Sequence, residues 1–147
     1  MVSHMGRLIV GTCISLMTVP SAAGAATVSL CGTSVEYAST PPAAGAPPDA
    51  SDLPGVWVGD WDRMLCSALV VESVSAQGDV TAWYVYGRYP QWNISQPGKY
   101  HMTGKLSGKT IVFKGRSETD YSIVDAHTLN DTYSNSSGQY KGTFKKQ

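Results

Sequence analysis

Aromatic side chains between residues 83 and 101 are the part of this sequence best suited to bind a ligand. Indole and phenol rings stack on sugars or flat organic molecules, while their N–H and O–H groups fix the orientation of the ligand. An arginine among them could recognise a carboxylate or a phosphate. The candidate ligand-binding residues of this stretch are Trp83, Tyr84, Tyr86, Arg88, Trp92, Tyr100 and His101. The same rings could instead form the core of a small domain, which needs large side chains to bury enough surface.

Glu72 is a further binding candidate because it is the one acid in a stretch of mainly apolar residues, 68–76. If its side chain points inward, it would bind a ligand or transfer a proton. If it points outward, it would be an ordinary surface residue, and the alternation of the stretch leaves both possibilities open. The sequence has no Gly-x-Ser-x-Gly motif, so an enzymatic function would require Glu72 and His101 to converge. We therefore expect a protein that is not an enzyme.

Metal-binding patterns are weak in this chain. His101 and His127 do not form a His-x-His or His-x₃-His pattern on one strand. Asp60 and Asp62 lie two residues apart on one face of a predicted strand, and they would need a third carboxylate to bind a hard cation. Such a pair is more often solvated or paired with a neighbour such as Arg63. We expect neither a metal nor another cofactor.

The first 25 residues have the pattern of a bacterial signal peptide. Arg7 supplies the positive charge, residues 8–19 are largely apolar, and Ala23-Gly24-Ala25 is a small-x-small cleavage pattern. A twelve-residue apolar helix spans only about 18 Å, which is too short for the roughly 30 Å hydrocarbon core of a membrane. The sequence therefore predicts cleavage near Ala25, no membrane span, and a secreted or periplasmic protein.

Two cysteines remain after the predicted cleavage, because Cys13 leaves with the signal peptide. In an oxidising compartment Cys31 and Cys66 are expected to pair. This disulfide would staple the N-terminal extension to the folded domain. The alternative is one exposed and one buried free thiol.

The charge balance gives no reason to expect nucleic acid or an anionic membrane as a partner. The whole chain has eleven basic and eleven acidic side chains, and removal of Arg7 leaves ten basic ones. These are scattered, except for Lys145 and Lys146 near the C-terminus.

The mature chain divides into an extension and an all-β domain. Residues 26–53 include the run 40–48, rich in proline and alanine, which predicts an extended polyproline-like linker with no packed element. Residues 54–147 are predicted to form the domain, because β-branched and aromatic runs alternate there with Gly, Asn, Asp and Ser. The eight predicted strands cover residues 56–61, 68–76, 80–87, 99–106, 110–114, 119–124, 128–133 and 139–144.

Short turns between these strands favour sequential antiparallel pairing. Closure of such a sheet removes its exposed edges, so we expect a small eight-stranded up-and-down β-barrel, with a two-sheet sandwich as the alternative. Alternation places Tyr140, Gly142 and Phe144 on one face of the last strand. The third strand is apolar on both faces, which indicates that something covers the outside of the sheet there. The stapled extension or a partner protein could be that cover.

Gly55-Val56-Trp57 at the start of the first predicted strand resembles the opening of a calycin, the group of lipocalins, avidins and fatty-acid-binding-like proteins. The final residues 142–145 are similar to the last strand of an avidin. The resemblance implies that Trp57 packs across one closed end of the barrel. The domain lacks the long C-terminal helix of lipocalins and the polar residues with which avidins hold biotin. The resemblance therefore implies no ligand-binding residue in this sequence. The pattern Gly-x-Trp-x-Gly-x-Trp also resembles small uncharacterised domains of bacterial envelope proteins.

The sequence is compatible with two functions. The first is a binding module that takes a small apolar, aromatic or saccharide ligand at the barrel mouth, with residues 88–98 as a lid. The second is an interaction module of the cell envelope, an inhibitor or accessory subunit, whose contact surface is the third strand with the extension.

Overall fold

The computed structural model describes residues 24–115 and 117–147. The predicted signal peptide therefore lies outside the described residues, apart from its last two. No helix in the described part of the chain is long and apolar enough to cross a membrane. The strands are β1 (Ala26–Leu30), β2 (Thr33–Tyr37), β3 (Gly55–Trp61), β4 (Leu65–Val74), β5 (Asp79–Tyr86), β6 (Gly98–Ser107), β7 (Thr110–Lys114), β8 (Glu118–Asp125), β9 (Thr128–Asn135) and β10 (Gly138–Lys146).

Strands β3 to β10 form a closed barrel in which every neighbouring pair is antiparallel and successive strands are neighbours. Pairing of β10 with β3 closes it, with Phe144 opposite Gly59. The predicted all-β class and eight-stranded up-and-down barrel are confirmed, and the barrel rather than the sandwich is present. Each predicted strand of the domain is found, with boundaries that differ by no more than three residues.

Alternation along the strands separates a filled interior from the outer surface. The inward side chains near the end where β3 starts and β10 finishes form one apolar cluster, which includes Trp57, Leu69, Ile111, Leu129 and Phe144. We call this end the closed end. Trp57 is almost fully buried there, and its indole N–H donates to the Leu53 carbonyl at 2.9 Å. This is the position that the calycin resemblance implies.

The segment between β2 and β3 lies against the barrel. The backbone N–H groups of Thr40 and Ala43 donate to the carbonyls of Glu72 and Val74, which ties the segment along β4. A 3₁₀-helix, Pro48–Ala50, follows, and Ala50 and Leu53 are buried in the interior cluster. The expected extended linker was residues 40–48, and the 3₁₀-helix and the buried Ala50 and Leu53 lie at or beyond the end of that run. The side chains of Ala50 and Leu53, which we call the plug, fill the closed end of the barrel.

A hairpin made of β1 and β2 covers the outside of the barrel. Leu30 and Val35 pack against outward side chains of β3, β4 and β5, among them Val70 and Val85. The disulfide Cys31–Cys66 joins the hairpin to β4, as predicted. The third predicted strand of the domain, β5, is thus covered on its outer face by the chain's own extension. The hairpin is a separate two-stranded sheet and adds no strand to the barrel.

Glycine permits the sharp coiling of the barrel wall at β6. Gly104 lies under the ring of Phe113 on β7, and a methyl group at Gly104 would come within 2.6 Å of that ring. An aromatic ring that covers a cross-strand glycine is a recurring way to curve a sheet without opening a gap.

Candidate ligand-binding cavity

The end of the barrel opposite the plug holds a cavity of about 1020 Å³. It opens among the connections 62–64, 87–97 and 136–137, which we call the mouth. Inward side chains from the upper halves of the strands form its wall, because the residues that fill the closed end are replaced here by rings that leave space between them. The aromatic residues that line it are Trp61, Tyr84, Tyr86, Trp92, Tyr100, Tyr121, Tyr133 and Tyr140.

A hydrogen-bonded group fixes one side of the cavity floor. The indole N–H of Trp61 donates to the Tyr84 hydroxyl at 2.8 Å, and that hydroxyl lies 3.1 Å from the Ser67 hydroxyl. Burial raises the pKa of Tyr84 well above its ordinary value, although the bonds to Ser67 and Trp61 oppose the shift. The phenol therefore stays protonated at all physiological pH values, and it holds three neighbouring strands in register.

An acid lies directly beneath the cavity, on the inward side of β9. Asp131 is 2 % exposed, and its register partners are Tyr121 on β8 and Gly142 on β10. Burial raises the pKa of Asp131 to about 8, and the charge of Asp120 adds to the rise. Tyr121 and the Thr132 backbone N–H lower it in part. The Tyr121 hydroxyl and the Thr132 N–H lie near the Asp131 carboxylate, but within the described residues neither meets normal hydrogen-bond geometry to it, and the Tyr121 hydroxyl has no other partner there.

The lid loop, residues 87–97, crosses the mouth. Its ends are held together by a bridge between Tyr89 and Ile94, and it contains a 3₁₀-helix, Pro90–Trp92, that ends at Asn93 in the left-handed conformation. The Trp92 ring packs 5.1 Å from the ring of Tyr140 on the opposite wall. The lid loop thus brings the Trp92 indole to the wall of the cavity.

The predicted binding residues fall into three places. Tyr84, Tyr86, Trp92 and Tyr100 line the cavity. Trp83, His101 and Glu72 lie together on the outer face of the barrel, and Arg88 is exposed at the start of the lid loop, away from the cavity wall. The structure therefore brings half of the predicted set into one site.

Glu72 and His101 do converge, at 2.7 Å between a carboxylate oxygen and Nε2. Glu72 lies on the outer face of β4, the face of Ala68 and Val70, and a β-bulge between Val71 and Ser73 then brings Val74 to the interior. The His101 ring packs 4.7 Å from the Trp83 ring, with 45 % of its side chain exposed. The pair is therefore a surface contact rather than part of the cavity.

Several cavity residues were not singled out from the sequence. Trp61 comes from the first barrel strand, Tyr133 from β9, and Tyr140 from β10; Asp131, beneath the cavity, was not singled out either. Tyr140 was placed correctly on the face shared with Phe144. The signal that could have found the others is the same alternation, applied to the residues nearest the open-end turns. Alternation alone does not show that these residues share one cavity, because that depends on the pairing of β10 with β3, which closes the barrel.

Asp60 and Asp62, the two carboxylates that could have bound a cation, border a separate cleft of about 500 Å³. Arg63 and Lys141 line the same cleft. Asp62 accepts a bond from the Lys141 backbone N–H at 3.2 Å, so that carboxylate serves the turn. Within residues 24–115 and 117–147, no three His, Cys, Asp or Glu side chains are grouped so that they could hold a metal.

No protein-family model, curated protein or solved structure matches this chain at a significant level.

Proposed function

We propose that this protein is an exported, non-enzymatic binding protein that takes a small aromatic, apolar or saccharide ligand in the open end of its barrel. The observation that carries the proposal is the cavity of about 1020 Å³ with a wall of tyrosine and tryptophan rings. Its size falls at the upper end of the range of small-molecule sites. A barrel interior of this size that had no ligand to hold would ordinarily be filled by side chains.

The chemistry of the wall supports a ligand with flat or ring-shaped apolar faces. Tyr86, Tyr100, Tyr133 and Tyr140 offer both a ring face and a hydroxyl, so they can stack on a ligand and hydrogen-bond to its edges. Asn93, Ser95 and Gln96 of the lid loop add polar groups at the mouth. The fold supports the same proposal, since a calycin-like barrel commonly encloses one small ligand. We propose the secreted or periplasmic location on the predicted signal peptide.

An envelope interaction module is the second candidate. The observation that favours it is the outer cluster of Trp83, His101 and Glu72, a partly exposed aromatic and charged patch. The apolar outer face of β5, however, is already covered by the hairpin. That face therefore needs no partner protein to bury it, so we place this candidate second.

Native mass spectrometry of the protein purified gently from its own host tests the first proposal. We expect a reproducible added mass of a few hundred daltons that is lost on denaturation. Trp92→Ala should lose this mass, because the variant removes the indole over the cavity. Trp83→Ala is the matched control, since it removes an indole from the outer face and should keep the mass.

Two results would contradict the proposal. One is a bare wild-type mass together with no binding of any small aromatic probe. The other is equal loss of the ligand in Trp83→Ala and Trp92→Ala. Capture of a protein partner that Trp83→Ala abolishes and Trp92→Ala leaves intact would favour the interaction module.

A further inference from the structure

The acid beneath the cavity is the feature that the proposed function does not yet use. Asp131 is almost fully buried, and within the described part of the chain its oxygens have no donor in normal hydrogen-bond geometry, although the Tyr121 hydroxyl and the Thr132 N–H lie near them. A buried carboxylate without partners is costly, and native proteins rarely keep one without a reason. The lysine, arginine and histidine residues that the structure describes do not line the cavity. A complementary group supplied by a ligand would remove this cost.

The rings above the acid favour a cation in particular. Trp61, Tyr84, Tyr100 and Tyr133 line the cavity, and Tyr84 and Tyr100 are close enough to Asp131 to feel its charge. The face of an aromatic ring carries partial negative charge, and several faces around one carboxylate form the usual site for an ammonium group. An anionic ligand would meet repulsion from these faces, and also from Asp131 once that acid is ionised.

We propose that the cavity binds a small organic cation, a protonated amine or quaternary ammonium compound, with its charged group held above Asp131 by the surrounding rings. This inference rests on the proposed function, because it names the class of ligand for the same cavity. The apolar part of such a ligand would lie against Trp92 and Tyr140 near the mouth.

Binding of a cation should be coupled to the ionisation of Asp131. The groups that face this acid are Tyr121 on β8, Gly142 on β10, which has no side chain, and Tyr84 and Tyr100 across the interior, with Asp120 nearby. Burial raises the pKa of Asp131 to about 8, so near neutral pH the empty protein holds the acid mainly protonated. A bound cation favours the carboxylate, so binding releases a proton. Affinity for a permanent cation should therefore rise with pH until Asp131 is ionised.

The test uses benzyltrimethylammonium, which is charged at every pH, and benzyl alcohol as a neutral probe, with phenylacetate as an anion. Isothermal titration at pH 6 and pH 8.5 gives the affinity of each probe for the full mature protein. We expect the cation to bind about tenfold more tightly at pH 8.5 than at pH 6. At pH 8.5 it should also bind at least about tenfold more tightly than the alcohol, with phenylacetate the weakest.

Asp131→Asn should reduce the ratio of cation to alcohol affinity to about one and remove its pH dependence. Glu36→Gln is the control, since Glu36 is an exposed acid on the hairpin and should keep the wild-type ratio. If Asp131→Asn does not fold, the pH dependence of the wild-type protein decides alone. Equal affinity for the cation and the alcohol at pH 8.5, or a preference for phenylacetate, would overturn the inference while leaving the proposed function standing. Failure of all three probes to bind would count against both.

Discussion

Trp61 donates its indole N–H to the Tyr84 hydroxyl at 2.8 Å, so a side chain of the first barrel strand is bonded to a side chain of the third across the barrel interior. The same hydroxyl lies 3.1 Å from Ser67 on the strand between them. All three residues are mostly shielded from water. This bonded group therefore defines the shape of one side of the cavity before any ligand arrives.

Loss of the Tyr84 hydroxyl should destabilise the protein. In Tyr84→Phe the Trp61 N–H is left buried with no acceptor, which typically costs about 1–3 kcal/mol. Chemical denaturation of the variant and the wild type measures the difference in the free energy of unfolding. Tyr100→Phe is the control, because Tyr100 is about half exposed and its hydroxyl can bond to water. An equal loss in both variants would show that the bond to Trp61 is not what matters.

Asp131 should make stability fall as pH rises. Its pKa is about 8 in the folded protein and about 4 in the unfolded chain, so the folded state binds more protons between these values. The free energy of unfolding is then highest near or below pH 4 and decreases until about pH 8. Each unit of pKa difference corresponds to about 1.4 kcal/mol, so this acid can cost up to several kcal/mol at alkaline pH.

Thermal unfolding of Asp131→Asn at a series of pH values measures this effect. The variant should be more stable than the wild type above pH 8, and the advantage should disappear toward pH 4. Glu36→Gln should follow the wild-type profile throughout. A difference between wild type and Asp131→Asn that does not change with pH would contradict the assignment.

The disulfide should contribute strongly to stability, because the two cysteines are 35 residues apart in sequence. Closure of a loop of that length stabilises by roughly 4 kcal/mol at most in the chain-entropy model. Replacement of both cysteines by serine should lower the melting temperature, and a reducing agent should do the same to the wild type but not to the variant. Limited proteolysis should then cut first between the hairpin and β3. Unchanged melting after reduction would contradict this expectation.

Gly104→Ala should destabilise the barrel wall. The added methyl group would meet the Phe113 ring at 2.6 Å and the Val112 carbonyl at 2.8 Å, and the carbonyl cannot move aside without a change of the backbone. Overpacking of this kind typically costs about 1–3 kcal/mol. Gly115→Ala is the control, since its nearest neighbour would be 3.9 Å away. Denaturant melts of both variants compare the two positions.

The sequence predicted the barrel well because each strand carries a local signal. Period-two alternation in β10, for example, places Tyr140 and Phe144 inside without any knowledge of the other strands. Turn residues such as Ser107-Gly108 mark where strands end. These signals depend on neighbours in the chain, so they can be read one segment at a time.

The candidate site was less predictable because it depends on which inward residues lie at the same level along the barrel axis. Trp61 and Tyr140 share a cavity only because β3 and β10 pair, although they are separated by most of the domain. The meeting of Glu72 with His101 outside the barrel depends on which face of β4 is the inner one and on the pairing of β5 with β6, and β4 is apolar on both faces along most of its length. The burial of Leu53 could not be foreseen, because nothing near it shows that the closed end requires a plug.

The plug also determines the route by which a ligand would enter and leave the cavity. With Leu53 and Trp57 filling one end, a ligand of the proposed kind would enter and leave through the mouth, past Trp92 and its contact with Tyr140. Movement of the lid loop, pinned by the bridge between Tyr89 and Ile94, would then gate both association and dissociation. Ligands of different affinity would share one slow opening step, so their residence times would be governed as much by the loop as by their own contacts.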